Sequence, residues 1–171
     1  MNRNILILRS VSAEDQNYKT GYAEEIDLEA GSAVGLGDKS TERKANGAYK
    51  LAAPVADDLV GLIYNAERPF LTDVHGNEYP GLIHDPRKLY FPAKRIIDVY
   101  MPSLRDEIAM TEVAGTEDGA KYVVVKAGST KAEYATTDAD ALVAFKITGK
   151  SFVSVGTDKV PTVEMICTKL A

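Results

Sequence analysis

The sequence predicts a mainly β protein, a sandwich or barrel-like body of short antiparallel strands with few short helices and an N-terminal arm. Three observations predict it. Apolar and polar residues alternate at strand period along much of the chain. Prolines at 54, 69, 80, 86, 92 and 102 cut the middle into pieces too short for long helices. Turn signals built on Gly, Asn and Asp separate most of the apolar runs.

Residues 1–20 form the expected arm. Ile5-Leu6-Ile7-Leu8 is followed by a polar stretch without a period, Arg9 to Thr20. Such a segment is either a frayed terminus or an arm whose apolar tip docks on a neighbouring subunit, since a free Ile-Leu-Ile-Leu strand would be an exposed β-prone edge.

Residues 21–171 form the β-rich body. Tyr22, Ile26 and Leu28 share one parity and Glu25, Asp27 and Glu29 the other, as in a half-buried strand. Gly31, Gly35 and Gly37 then predict a flexible turn. Short helical turns are open to Ala52–Asp58 and Ser103–Ile108. Leu59–Tyr64 is apolar enough for a buried strand. Phe70–Val74 and Glu78–Leu82 flank His75-Gly76-Asn77, a hairpin turn in which Gly tolerates positive φ. Asp85-Pro86 marks another turn. Arg95–Met101 and Asp106–Glu112 read as strands around Pro102-Ser103, and Glu117-Asp118-Gly119 turns the chain into Tyr122–Val125. Leu142–Ile147 places Val143, Phe145 and Ile147 on one face, Phe152–Val155 follows Gly149, and Thr162–Thr168 groups Val163, Met165 and Cys167.

One internal similarity bears on domain organisation. Ala56-Asp-Asp-Leu-Val-Gly-Leu62 resembles Ala139-Asp-Ala-Leu-Val-Ala-Phe145, 139 − 56 = 83 residues later. Either these common residues coincide, or the body holds two related β units, about 21–70 and 110–171, joined by a Pro-rich middle segment.

Composition excludes several classes of chemistry. Lys plus Arg is 20 and Asp plus Glu 25, a net charge of −5 over 171 residues. That balance lacks the broad positive field that drives phosphate binding, so no nucleic-acid partner is expected. A single cysteine, Cys167, forms neither an intrachain disulfide nor a cysteine-based zinc cluster, and its strand parity marks it as a small core residue. No apolar run reaches the length of a signal-peptide core or membrane span, so no membrane partner is expected and synthesis is expected in the cytosol.

No Gly-x-Ser-x-Gly elbow and no Gly-x-x-x-x-Gly-Lys-Ser/Thr loop is present. Asp73, His75, His84 and Asp85 have the donor types zinc accepts, but turn residues of these kinds ordinarily satisfy backbone groups or face water. The pairs Glu24-Glu25, Asp57-Asp58 and Glu117-Asp118 point to opposite faces of a strand, which a catalytic dyad cannot use. The expectation is a non-enzyme without metal or cofactor.

Aromatic and basic residues interleave between Tyr79 and Tyr100. A single-strand nucleic-acid groove and a protein interface both use this mixture, and the acidic balance favours the protein interface. The expected contact residues are Ile5, Leu6, Ile7 and Leu8 in the arm, with Tyr79, Arg87, Tyr90, Phe91, Arg95 and Tyr100 in the middle segment.

Four stretches carry a family resemblance: Ile26–Val34, Asp57–Tyr64, Arg105–Thr111 and Gly119–Val125. Together they resemble small capsid decoration, or cement, proteins of tailed bacteriophages, across about Tyr22 to Val155. The family pattern defines no functional side chain, so none is carried over. The resemblance implies a virion protein made in an infected bacterium. It would bind the capsid exterior in many copies or as a homo-oligomer and bridge major capsid protein subunits. A tail, baseplate or fibre-attachment module would have the same β composition, and a metal-binding domain or enzyme is the remaining alternative.

Overall fold

The computed structural model describes residues 4–11, 17–64, 70–72, 78–80, 91 and 93–170. The protein is mainly β. Its strands are β1 (Leu6–Ser10), β2 (Tyr18–Ala23), β3 (Ala33–Lys39), β4 (Tyr49–Ala52), β5 (Leu59–Ile63), β6 (Phe70–Thr72) and β7 (Glu78–Pro80). After the middle segment come β8 (Arg95–Tyr100), β9 (Glu107–Met110), β10 (Tyr122–Val125), β11 (Glu133–Ala135), β12 (Val143–Val155) and β13 (Asp158–Lys169). Strands β2-β4-β3-β5-β8 close into a barrel, β1-β9-β13-β12-β10-β11 form a six-stranded sheet, and β6 pairs with β7.

The barrel and the sheet repeat one connectivity. In the barrel, β8 lies between β2 and β5, β3 between β5 and β4, and a parallel β2–β4 pairing closes the ring. In the sheet, β13 lies between β9 and β12, and β10 between β12 and β11. Ala114, just past β9, makes a parallel bridge to Glu133 of β11. Five strands in chain order therefore pair in the same order and with the same sense twice.

Two apolar clusters hold these layers. Val34, Leu36, Leu51, Ile63, Ile97 and Val99 fill the barrel. The alternating neighbours Ala33, Val60, Leu62 and Tyr100 point the other way and join Ile108, Met110, Val123, Phe145, Met165 and Cys167 of the sheet in one shared cluster. Each face of β5 beyond exposed Leu59 thus meets a core, which explains why Val60–Ile63 is an apolar run and not an alternation.

The structure corrects three expectations. The strand expected through Tyr22, Ile26 and Leu28 ends at Ala23, and Leu28, buried in the barrel core, makes a reciprocal bridge to Phe91 with N···O distances of 2.8 and 2.7 Å. Of the turn expected at the glycines, Gly31 does lie in one, at φ 75°, but Gly35 and Gly37 belong to β3, which runs straight through them. Gly35 is there for close approach: a Cβ would run into the Asp58 carboxylate and lie 3.1 Å from Pro54 Cα.

The third correction concerns the arm, which is part of the body wherever it is described. β1 pairs with β9, Leu6 opposite Met110 and Leu8 opposite Ile108, and Tyr18–Thr20 belong to β2. Ile5 and Leu6 are 6% and 4% exposed. Burying such side chains stabilises by about 1.5–3 kcal/mol each, which undocking would forfeit. Asn4 pins the start of the strand. Its Oδ1 accepts from Thr111 N at 3.2 Å and Glu112 N at 3.0 Å, while Ile5 N donates to Thr111 Oγ1 at 2.9 Å.

Candidate functional site

The residues expected at a partner interface separate into three groups. Ile5, Leu6 and Tyr100 are buried within the chain's own core, so they cannot meet a partner. Tyr100 has no exposed surface because β8 turns it into the shared cluster, and its hydroxyl donates to buried Asp106. Ile7, Leu8, Phe91 and Arg95 are half-buried, with Leu8 against the shared cluster and Phe91 against the barrel core. Tyr79 lies on β7, while Arg87 and Tyr90 fall outside the described residues, as do Asp73, His75, His84 and Asp85.

The feature that composition and motifs missed is the end of the β12–β13 hairpin. β12 pairs with β10 only through Lys146, and β13 pairs with β9 only from Val163. Beyond those points, among the described residues, Thr148–Val155 and Asp158–Thr162 pair only with each other. At about 3.4 Å per residue this two-stranded arm is ~24 Å long, and one of its faces is covered, with Val155 and Thr162 buried. Its tip is Gly156-Thr157, with Gly156 at φ 62°, the positive value that a two-residue II′ turn requires at its first central position. The Gly-Thr pair between alternating residues was the available sequence signal.

One side of the arm is chemically distinct. Phe152 is 50% exposed and lies opposite Pro161. Lys159 Nζ sits 4.5 Å from the centre of the Phe152 ring, a cation–π contact that holds the ring in place on the strand pair. Lys150 Nζ reaches Glu117 Oε1 at 2.7 Å and braces the arm against the loop between β9 and β10. An aromatic held by its neighbours loses little rotamer freedom on meeting a partner, which suits it to anchor a contact.

Two recesses complete the surface. One, of about 340 Å³, lies where Asn4, Asp27, Glu29, Ser32, Glu112 and Lys131 converge. The other, of about 270 Å³, lies beside the arm and includes Arg9, Glu107, Ser151 and Glu164, with Arg9 and Glu164 paired at 3.5 Å. The first also takes Leu28, Val113, Ala114 and Ala132 into its lining, so polar and apolar groups share it about equally, while the second is mainly polar. Among the described residues, no group of three or more His, Cys, Asp or Glu is placed to hold a metal ion. Burial pushes the Cys167 thiol up to about 11, so at neutral pH it is a protonated core group and a poor nucleophile.

Comparison with protein-family models, curated proteins and solved structures finds no match to this chain.

Proposed function

We propose that this chain is a virion structural protein that binds the outer surface of a tailed-phage head and stabilises it by bridging major capsid protein subunits. The observation that carries the reading is the strand pair of residues 148–162, which carries exposed Phe152 and continues from a body whose two β layers share one apolar cluster. A stiff body transmits load, and a strand pair with an exposed aromatic gives that body a point of attachment. The sequence resemblance to capsid decoration proteins points the same way. The bridging element in this reading is the β12–β13 arm and not the N-terminal segment.

A head under pressure from packaged DNA is stabilised by any protein that binds its closed form and must detach before the shell opens. Many copies on one shell allow each contact to be modest. The test is to mix purified protein with undecorated heads and follow co-sedimentation and resistance to heat. Binding that raises the temperature of DNA release supports the reading, and absence of binding at large excess removes it. Electron microscopy of particles carrying tagged protein separates head from tail attachment.

A further inference from the structure

We infer that the outer edge of β9 is a strand-acceptor site, filled in the single chain by its own β1 and open to the β1 of a second copy. Two copies that exchange β1 are thereby joined into a dimer. This goes beyond the capsid reading and stands independently of it.

β1 is an addition to the five sheet strands β9–β13 that repeat the barrel. The repeated connectivity fixes which positions correspond. Leu62 pairs with Tyr100 in the barrel, and Phe145 pairs with Cys167 in the sheet. Tyr100 lies opposite Tyr18, and Cys167 N donates to Asp106 O, so Tyr18 and Asp106 occupy the same place. Four residues on, Tyr22 is flanked by Ile96 of β8 and by Lys50 of β4. Its counterpart Met110 is flanked by Val163 of β13 and by Leu6 of β1. β1 therefore stands on the edge that the barrel gives to its own closing strand.

Charge explains why β11 does not close that edge. Leu36, Ile63 and Ile97 fill the barrel. The same pairings put Lys126, Lys146 and Glu164 at the matching positions of the sheet. Lys126 and Lys146 are exposed and Glu164 is half-buried. Closing β9 onto β11 along its length would take these charges out of water, a loss that ion pairing seldom repays. Closure is reduced to the bridge between Ala114 and Glu133, and β9 takes its neighbour from the start of the chain.

A strand added at a chain end can be exchanged at little cost, because the contacts of the exchanged dimer are those of the single chain. The ladder to β9, the burial of Ile5 and Leu6 and the bonds from Thr111 and Glu112 to Asn4 are all kept, in the second copy. No new complementary surface is needed. The balance between chain and dimer is then set by concentration, which rises wherever copies are held side by side.

The experiment uses the full chain. Ile7 and Ala109 lie opposite each other. Opposed residues of an antiparallel pair are about 4.5–5.5 Å apart at Cα, within the range a disulfide spans. A chain carrying both Ile7→Cys and Ala109→Cys is the control and is expected to close the bond internally. Chains carrying one substitution each are mixed at high concentration and oxidised. A cross-linked pair containing one of each, doubled in mass and absent from either variant alone, is the expected result. Closure of the control without a mixed pair overturns the inference. If the control does not close, wild type and Ile7→Pro decide. Wild type is expected to dimerise on concentration, and Ile7→Pro, unable to add to the ladder, to lose the dimer while its body still melts cooperatively. A wild type that stays monomeric, or a dimer that survives Ile7→Pro, overturns the inference. None of these outcomes depends on binding to heads.

Discussion

The hydroxyl of Tyr100 donates a hydrogen bond to Oδ2 of Asp106, six residues on, and both side chains are buried where the barrel hands over to the sheet. The same carboxylate oxygen accepts from Ser103 N at 2.8 Å, so it fixes the tight turn Pro102–Arg105 as well as the ring. The backbone of Asp106 and Arg105 in turn brackets Cys167, with N···O distances of 2.9 Å each. Tyr100→Phe leaves a buried carboxylate short of one donor and is expected to destabilise by about 1–3 kcal/mol. Asp106→Ala, which also strips the turn of its acceptor, is expected to cost more. Urea unfolding of the three proteins checks the order; a Tyr100→Phe protein as stable as wild type would show that the hydroxyl contributes nothing.

Alkaline pH provides a second test. Burial, followed by the bond to Asp106, pushes the Tyr100 phenol well above its ordinary value, and burial raises the Cys167 thiol to about 11. Both groups keep their protons in the folded state after the unfolded chain has lost them. Folding stability is therefore intact below pH ~9 and falls as pH rises from there through 11. Melting temperature measured from pH 7 to 11 is expected to decline over that window, and more shallowly in Tyr100→Phe.

Asn4→Ala removes the acceptor shared by Thr111 N and Glu112 N at the start of β1. The expected cost is about 1–3 kcal/mol, with amide hydrogen exchange accelerated in Leu6–Ser10 ahead of the rest of the sheet. Exchange in β1 as slow as in β13 would show that the pin is dispensable.

Gly35→Ala places a methyl group against Asp58 and Pro54 in the barrel wall. Strand β3 or the Pro54–Asp58 turn must then shift, at an expected cost of about 1–3 kcal/mol. Gly119→Ala is a control for strain without crowding, because its φ is 72° and nothing lies within 4 Å of the added carbon. A milder loss is expected there than at Gly35, read from melting temperatures.

The parts of the fold legible in the sequence are those governed by local parity. Tyr122–Val125 is a strand as expected, and Val163, Met165 and Cys167 lie together in the core as their alternation indicates. The β6–β7 pairing lies where the His75-Gly76-Asn77 signal predicts a hairpin. What alternation does not encode is which strand meets which. β3 is hidden because Gly35 answers to Asp58 and Pro54, residues about twenty positions away. β1 was hidden because its complement, β9, lies about a hundred positions on. Tyr100 reads as a surface aromatic in the sequence, which shows the ring but not the buried carboxylate that satisfies its hydroxyl. The arm carrying Phe152 was divided into two strands at Gly149, whereas β12 absorbs that glycine in an irregularity between Ile147 and Gly149 and continues.

The pairing of β1 with β9 sets an order of events during synthesis. Ile5 finds its hydroxyl partner Thr111 106 positions later, so at a ribosomal rate of roughly 5–20 residues per second the first strand waits roughly 5–20 s for its complement. Throughout that interval an Ile-Leu-Ile-Leu segment is an open template for the wrong neighbour, including another nascent copy. The closing hairpin, whose partners are adjacent, forms within microseconds of release. Residues 6–10 are thus secured only well after they are made, long after the local hairpins have closed.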